Sequence, residues 1–290
     1  MIPDNFTYLA PGSLNEAWDL LAAHPGESKL LAGGQSLIPL MKLRLASPAY
    51  LVDLRKVPGL NALEERDGAL VIGAMVRENA LEHSPLVKRR YAGLSDASAV
   101  VADPLVRNFA TIGGNLAHAD PANDHPAMML ALRASVVAQS PSGARVIPID
   151  DFLVDTFETS LAPNEILTEI RVPQPAPHTG SAYVKLERKV GDYAIAAVGV
   201  SVTLDGGICS QVGIGLTNVG PKALRATAAE RYLVGQSPSD AAIREAARLA
   251  GEAAEPTSDL RGPAEYKRAM VRTLAARALR SAVQRAQAGV

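Results

Sequence analysis

Residues 173–180 read PQPAPHTG, and the texture of the chain differs on the two sides of them. Behind this proline-rich connector come three long runs, SAYVKLERKV, YAIAAVGVSVTL and ICSQVGIGLTNV, in which apolar and polar residues alternate. A period of two sends successive side chains to opposite faces of a strand. Asp205-Gly206-Gly207 separates the second run from the third, and that turn chemistry closes a hairpin. This part is therefore expected to be a three-stranded antiparallel sheet. From about Ala223 the chain is rich in Ala and Arg, with breaks at GQSPSD (235–240) and EPTSDLRGP (255–263), so helices are expected to back the sheet.

Ahead of the connector the elements are shorter. Ser13-Leu-Asn-Glu16 fits a capping box and opens the helical segment EAWDLLAAH. SKLLAGG reads as a short strand running into a tight turn, and AYLVDL (49–54) as another strand, ended by Pro58-Gly59. Asp67-Gly68 and Ser142-Gly143 sit between apolar runs and mark hairpins. Between them, RENALEHSPLVKRRYAGLSDASAVVA is mainly helical, with an interruption at Ser84-Pro85. EILTEIRVP (165–173) alternates like a strand.

Composition narrows the function. The 290 residues carry a net charge of −1, so no basic excess points to nucleic acid or an anionic membrane. Cys209 is the one cysteine, which rules out an internal disulfide and a cysteine-ligated iron–sulfur cluster within the chain. MIPDNFTYLAPGS is not built like a secretory signal, and the longest apolar stretch, 194–204, falls short of the ~20 residues of a membrane span. A cytoplasmic protein with no membrane span is expected.

Two stretches carry candidate chemistry: LLAGGQSLIPLM (30–41) and ATIGGNLAHADPANDHPAMMLA (110–131). Neither is a Rossmann fingerprint. GIGLTNVG (213–220) has Asn218 where the third glycine belongs, and it fails as a P-loop because Lys222 does not directly follow the glycine. Consecutive N–H groups in a glycine turn can instead cradle an anion. The donors would be Gly33, Gly34, Gln35 and Ser36 in one turn and Ile112, Gly113, Gly114 and Asn115 in the other. A diphosphate lying between two subdomains would engage both, and a pair of ligand-free strand-to-helix turns is the competing reading. His118 and His125 are seven apart with prolines nearby, which matches none of the usual metal-ligand spacings. Asp103 and Arg107 are expected to brace the second turn.

AGGQSLIPLMKLRLASP and ATIGGNLAHADPANDHPAMMLAL resemble the two FAD-diphosphate signatures of the flavoprotein subunits of molybdenum hydroxylases. That family includes the medium subunit of aerobic carbon monoxide dehydrogenase and the FAD domain of xanthine dehydrogenase. FTYLAPGSLNEAWDLL resembles the family's opening and KLERKVGDYAIAAVGVSV its C-terminal segment, so the likeness spans almost the whole chain.

The resemblance implies an α+β protein, a two-subdomain FAD-binding fold of the vanillyl-alcohol-oxidase type followed by the sheet-and-helix domain. The implied boundaries are 1–55, 56–175 and 176–290. It implies that Ala32, Gly33, Gly34, Gln35 and Ser36, with Thr111, Ile112, Gly113, Gly114 and Asn115, hold the FAD diphosphate. Asp124 matches an acidic residue near the ribityl or flavin portion, or is a helix N-cap. Tyr193 falls where the family has a residue over the isoalloxazine ring, or packs in the core. Lys185 and Asp192 are weaker candidates at the flavin edge, and a lysine there would stabilise reduced flavin by its charge.

No catalytic residue and no metal site is implied in this chain. The molybdenum cofactor would sit in a large partner subunit and [2Fe–2S] clusters in a small one, the whole forming a dimer of heterotrimers. With a single cysteine, the benzoyl-coenzyme-A-type reductase branch, whose flavin subunit carries its own cluster, is excluded. A stand-alone flavin-dependent oxidoreductase acting on a small molecule is the alternative, and it would need an acid–base group over the flavin.

Overall fold

The computed structural model describes residues 2–289. Thr7–Leu9, Tyr50–Asp53 and Ser28–Leu31 form a three-stranded parallel sheet with Tyr50–Asp53 in the middle. The helix Leu14–Ala23 crosses over between the first two strands in sequence and buries Ala17, with Trp18 and Leu21 packed at the same core. Its capping box is displaced by one residue. The Ser13 hydroxyl accepts from the Glu16 N–H at 3.1 Å, but the Glu16 carboxylate reaches Gly12 N at 2.7 Å rather than Ser13 N.

A five-stranded antiparallel sheet follows, in the order Leu63–Arg66, Ala69–Gly73, Ile166–Pro173, Ser135–Ser140, Gly143–Pro148. Both of its hairpins turn where the sequence predicts. Asp67 and Gly68 carry φ of 53° and 75°, the paired left-handed angles that match the twist of two flanking strands. The central strand comes from the alternating segment near 165–173, and its inward residues Ile170 and Val172 are fully buried. Between Gly73 and Ser135 the chain inserts six helices: Glu78–His83, Pro85–Arg90, Ala92–Ala99, Pro104–Arg107, Ile112–His118 and Asp124–Ala131. The break at Ser84-Pro85 is real: Ser84 caps the second of these helices and Pro85 opens it, where no N–H is needed.

The C-terminal sheet has four strands, not three: Thr179–Leu186, Ala196–Asp205, Ile208–Thr217 and Leu224–Arg225. Two residues are too few to write a period of two, which is why the last strand is invisible in the sequence. One face carries Val198, Val200, Val202, Ile214 and Leu216 into a core shared with the helices Thr227–Leu233, Asp240–Ala253 and Ala264–Gln287. The other face lies on the helix Asp124–Ala131, every residue of which is buried. Here the approach is backbone to backbone. A Cβ at Gly215 would stand 1.9 Å from the Ala127 carbonyl oxygen, and one at Gly213 would stand 2.0 Å from that of Ala131. The alternation of the second and third runs therefore encodes two different surfaces, one of branched side chains and one stripped to glycine.

Candidate functional site

The first glycine motif joins the strand Ser28–Leu31 to the helix Leu37–Lys42. Gly34 has φ +75°, so the turn needs a residue without a side-chain penalty there. Among the described residues, the N–H groups of Gly33, Gly34, Gln35 and Ser36 donate to no protein acceptor. The Ser36 side chain does not cap its helix, and the Gln35 amide folds back on the Gly33 carbonyl at 3.2 Å. Successive N–H groups left without a partner in the chain are available to water or to an anion.

The second motif is built differently. Gly113 and Gly114 are not in a turn; they lie in the first turn of the helix Ile112–His118. Thr111 is the N-cap, and its hydroxyl accepts from Gly114 N at 3.2 Å. The Ile112 and Gly113 N–H groups go to the carbonyls of Val76 and Ala74, and Asn115 N goes to Thr111 O. All four donors that the sequence assigns to an anion are thus spent inside the protein, which corrects the expectation of a second nest. What the motif supplies is proximity and the positive end of the helix. A Cβ on Gly113 would stand 2.5 Å from Ala74, and one on Gly114 would stand 3.6 Å from the Ala32 methyl. The side-chain amide oxygen of Asn115 is buried without a partner among the described residues.

The two motifs meet. A Cβ on Gly33 would stand 2.2 Å from the Phe109 carbonyl and 2.8 Å from Ala110 Cα, in the residues that lead into Thr111. Ala32, Gly33 and Gly114 therefore line one seam between the first two sheet units. Asp103 and Arg107 prepare this approach but offer nothing to an anion. Asp103 caps its own helix through Val106 N at 2.9 Å. Arg107 is committed to Glu82 at 2.7 Å and to the carbonyls of Val101 and Ala102.

Asp124 is the first residue of its helix, and the N-cap is Asn123, so the N-cap reading is off by one. Its carboxylate accepts from Tyr183 Oη at 2.8 Å and from Lys185 Nζ at 3.0 Å. Burial pushes its pKa up, and the Lys185 ammonium and Tyr183 hydroxyl pull it back. Lys185 is not a solvated strand residue: its side chain is 3% exposed and also donates to the Val100 carbonyl at 2.9 Å. Its charge is directed at Asp124.

Next along the helix, His125 Nε2 lies 2.5 Å from a Glu78 carboxylate oxygen, with both side chains fully buried. Burial opposes a charge on His125, but the Glu78 carboxylate more than compensates and raises its pKa. Among the described residues no group of three or more His, Cys, Asp or Glu side chains is arranged to hold a metal. The side chain of His118 packs on Phe157 instead, with ring centroids 5.1 Å apart.

Tyr193 and Asp192 lie in the loop between the first two strands of the C-terminal sheet. Tyr193 is 46% exposed, so it is not the core aromatic of the competing reading. Asp192 is held by Arg188 at 2.9 Å, which brings its pKa down to about 2, and by Arg261 at 3.3 Å. Three residues of this neighbourhood escape sequence reasoning. Glu78 and Tyr183 look like ordinary helix and strand positions, and Arg261 sits in a segment legible only as a helix break.

Comparison with known proteins gives the family. Residues 4–175 match the FAD binding domain in molybdopterin dehydrogenase, and residues 181–282 match the CO dehydrogenase flavoprotein C-terminal domain. The carbon monoxide dehydrogenase medium chain of Hydrogenophaga pseudoflava is 46% identical over 97% of this chain and 98% of its own. The 6-hydroxypseudooxynicotine dehydrogenase complex subunit alpha of Paenarthrobacter nicotinovorans is 39% identical over 99% of this chain and 97% of its own. A solved structure of the Hydrogenophaga carbon monoxide dehydrogenase, a form lacking the Mo-pyranopterin moiety, superposes with a TM-score of 0.95 over 98% of this chain and 99% of that one, at 48% identity.

The fold and its seam are those of an oxidoreductase flavoprotein: a two-subdomain FAD-binding unit followed by an antiparallel sheet packed with helices. The chain belongs to the FAD-binding medium-subunit family of carbon monoxide dehydrogenase-type molybdenum hydroxylases.

Proposed function

We propose that this chain is the electron-transferring FAD subunit of a heterotrimeric molybdenum hydroxylase. In that role it takes electrons from [2Fe–2S] clusters of a small subunit and passes them to an external acceptor, while a large subunit carries the molybdenum cofactor and oxidises the substrate. A dimer of such heterotrimers, in the cytoplasm, completes the reading. The observation that carries it is the run of four N–H donors from Gly33 to Ser36, unpaired among the described residues, in the turn whose Gly33 meets the residues that lead into the second motif.

In this reading residues 1–55 and 56–175 grip the FAD and 176–290 cover its ring. The turn 32–36 supplies hydrogen bonds to the diphosphate. Thr111, Ile112, Gly113, Gly114 and Asn115 supply a helix terminus brought close by the absence of side chains. Bound FAD supplies a redox centre that accepts electrons singly and releases them in pairs. Asp124, locked by Lys185 and Tyr183, gives a fixed polar wall on the flavin side, and Tyr193 is the aromatic that stacks on the ring. Lys185 acts through Asp124, since its ammonium is already engaged there.

A stand-alone oxidoreductase needs a free acid or base over the flavin. Asp124 is bound by two donors and buried, which counts against that role. Two relatives of nearly full coverage act on chemically unrelated compounds, carbon monoxide and 6-hydroxypseudooxynicotine by their names, which supports substrate choice outside this chain. The test is co-expression with the neighbouring genes and purification through a tag on this chain. Copurification of a large and a small subunit, with one FAD per copy, is expected. Substrate oxidation by the isolated chain would overturn the assignment.

A further inference from the structure

The connector between the last two helices, residues 254–263, reads as a bare break in the sequence but is a fastened structure. Lys267, on the helix Ala264–Gln287, is 2% exposed, and its ammonium reaches back to Asp259 at 2.7 Å. The other oxygen of the same carboxylate accepts from Arg261 N at 2.8 Å, and Asp259 and Gly262 exchange backbone hydrogen bonds. A buried lysine and a carboxylate thus tie a two-residue loop whose tip is Arg261. The Arg261 guanidinium reaches the loop between the first two strands of the C-terminal sheet. It lies 5.6 Å from the centroid of the Tyr193 ring and donates to Asp192 at 3.3 Å. Its Nε is buried and has no partner.

The loop that carries Tyr193 is also seated. Gly191, at φ +83°, rests so close to the Ala102 carbonyl that a Cβ would stand 2.9 Å from it. Tyr193 N accepts no freedom either, since it donates to Asp192 Oδ1 at 2.8 Å. The Asp192 carboxylate is therefore shared between its own loop and Arg261. Among the described residues no other cation or aromatic ring stacks on Tyr193.

We propose that Arg261, held by the Lys267–Asp259 latch, is the positioning residue that fixes Tyr193 against the flavin and places a cation behind the tyrosine ring. This rests on the reading of Tyr193 as the ring-stacking residue. An aromatic ring has two faces, and a guanidinium on one leaves the other for a second flat partner. In a stack ordered guanidinium, tyrosine, flavin, the cation favours electron density in the flavin without touching it. Arg suits the place better than Lys because its planar group both stacks and pairs with a carboxylate.

The test uses the complex purified through this chain, with Arg261→Met, Arg261→Lys and Asp259→Asn. Arg261→Met is expected to raise the FAD dissociation constant about fivefold, the scale of a partly exposed cation–π contact. It should also move the flavin midpoint potential to a more negative value and weaken the quenching of flavin fluorescence. Arg261→Lys should recover part of each. Asp259→Asn should shift them in the same direction by less, and it serves as the test if Arg261→Met fails to fold. In a Tyr193→Leu background the Arg261→Met change should add little.

Unchanged affinity and potential in Arg261→Met, or full additivity with Tyr193→Leu, would overturn the proposal. Gly33→Val keeps the two claims apart. If it keeps a native circular dichroism spectrum and abolishes FAD while Arg261→Met alters nothing, only the latch is wrong. If it leaves FAD in place, the flavin site itself is misassigned.

Discussion

The two glycine motifs look alike as strings and differ as objects. AGGQS is a loop in which the N–H groups from Gly33 to Ser36 are unpaired among the described residues, and whose second glycine needs a left-handed angle. TIGGN is a helix start whose N–H groups from Ile112 to Asn115 are all used, and whose first glycine leaves no room for a side chain against Ala74. Both motifs hold a glycine at a close approach, but the first keeps a run of unpaired donors among the described residues and the second does not. Equal spelling therefore hides unequal work, and mutations should separate the two.

The largest effect is expected at Gly33→Val. A Cβ there would stand 2.2 Å from the Phe109 carbonyl oxygen, so the variant should lose stability, and the complex that folds should contain only background FAD by its visible spectrum. Gly113→Ala should act on folding before binding. A methyl group 2.5 Å from Ala74 is overpacking, costing about 1–3 kcal/mol in urea denaturation, with residual FAD in the molecules that fold. If Gly113→Ala emptied the site without loss of stability, the division of labour between the motifs would be wrong.

Thr111→Val removes the cap on Gly114 N and should cost about 1 kcal/mol by the same measurement. FAD affinity should change less than in any glycine variant.

The smallest effect on FAD content is expected at the buried pair behind the second motif. His125 has a raised pKa in the fold, so the stability it gains from Glu78 is full below its unfolded value of about 6.5. That gain is lost as the pH rises through the raised folded value. The difference in melting temperature between the natural protein and His125→Gln should therefore be greatest near pH 6 and shrink toward alkaline pH. A difference that grows with pH would mean that His125 is neutral in the fold.

Much of the architecture is written in local chemistry. The hairpin at Asp67-Gly68 and the break at Ser84-Pro85 depend on residues adjacent in sequence, and the long strands of the last sheet on their own alternation. These are the features a sequence can carry without knowledge of distant partners. The strand Leu224–Arg225 is defined only by the neighbour it pairs with. The helical state of Gly113 and Gly114 depends on Ala74 and Val76, and the role of Tyr183 on a carboxylate 59 positions away. Arg261 is the extreme case, because it is placed by a latch and points at a loop 69 residues earlier. The glycine motifs stand out in the sequence, but which of their N–H groups are already used is set by backbone far away in the chain.

The helix Asp124–Ala131 rests on a sheet face from which side chains have been removed at Gly199, Gly213 and Gly215. A contact between two main chains has no rotamers, so it has no soft coordinate along which to adjust. The floor beneath Asp124 is in effect machined to a fixed height. A methyl group added at Gly215 could not be absorbed by repacking and would lift the whole helix. Asp124, His125 and their partners would move as one block. Tolerance to substitution along this seam should thus be set by backbone clearance, however far a position lies from any ligand.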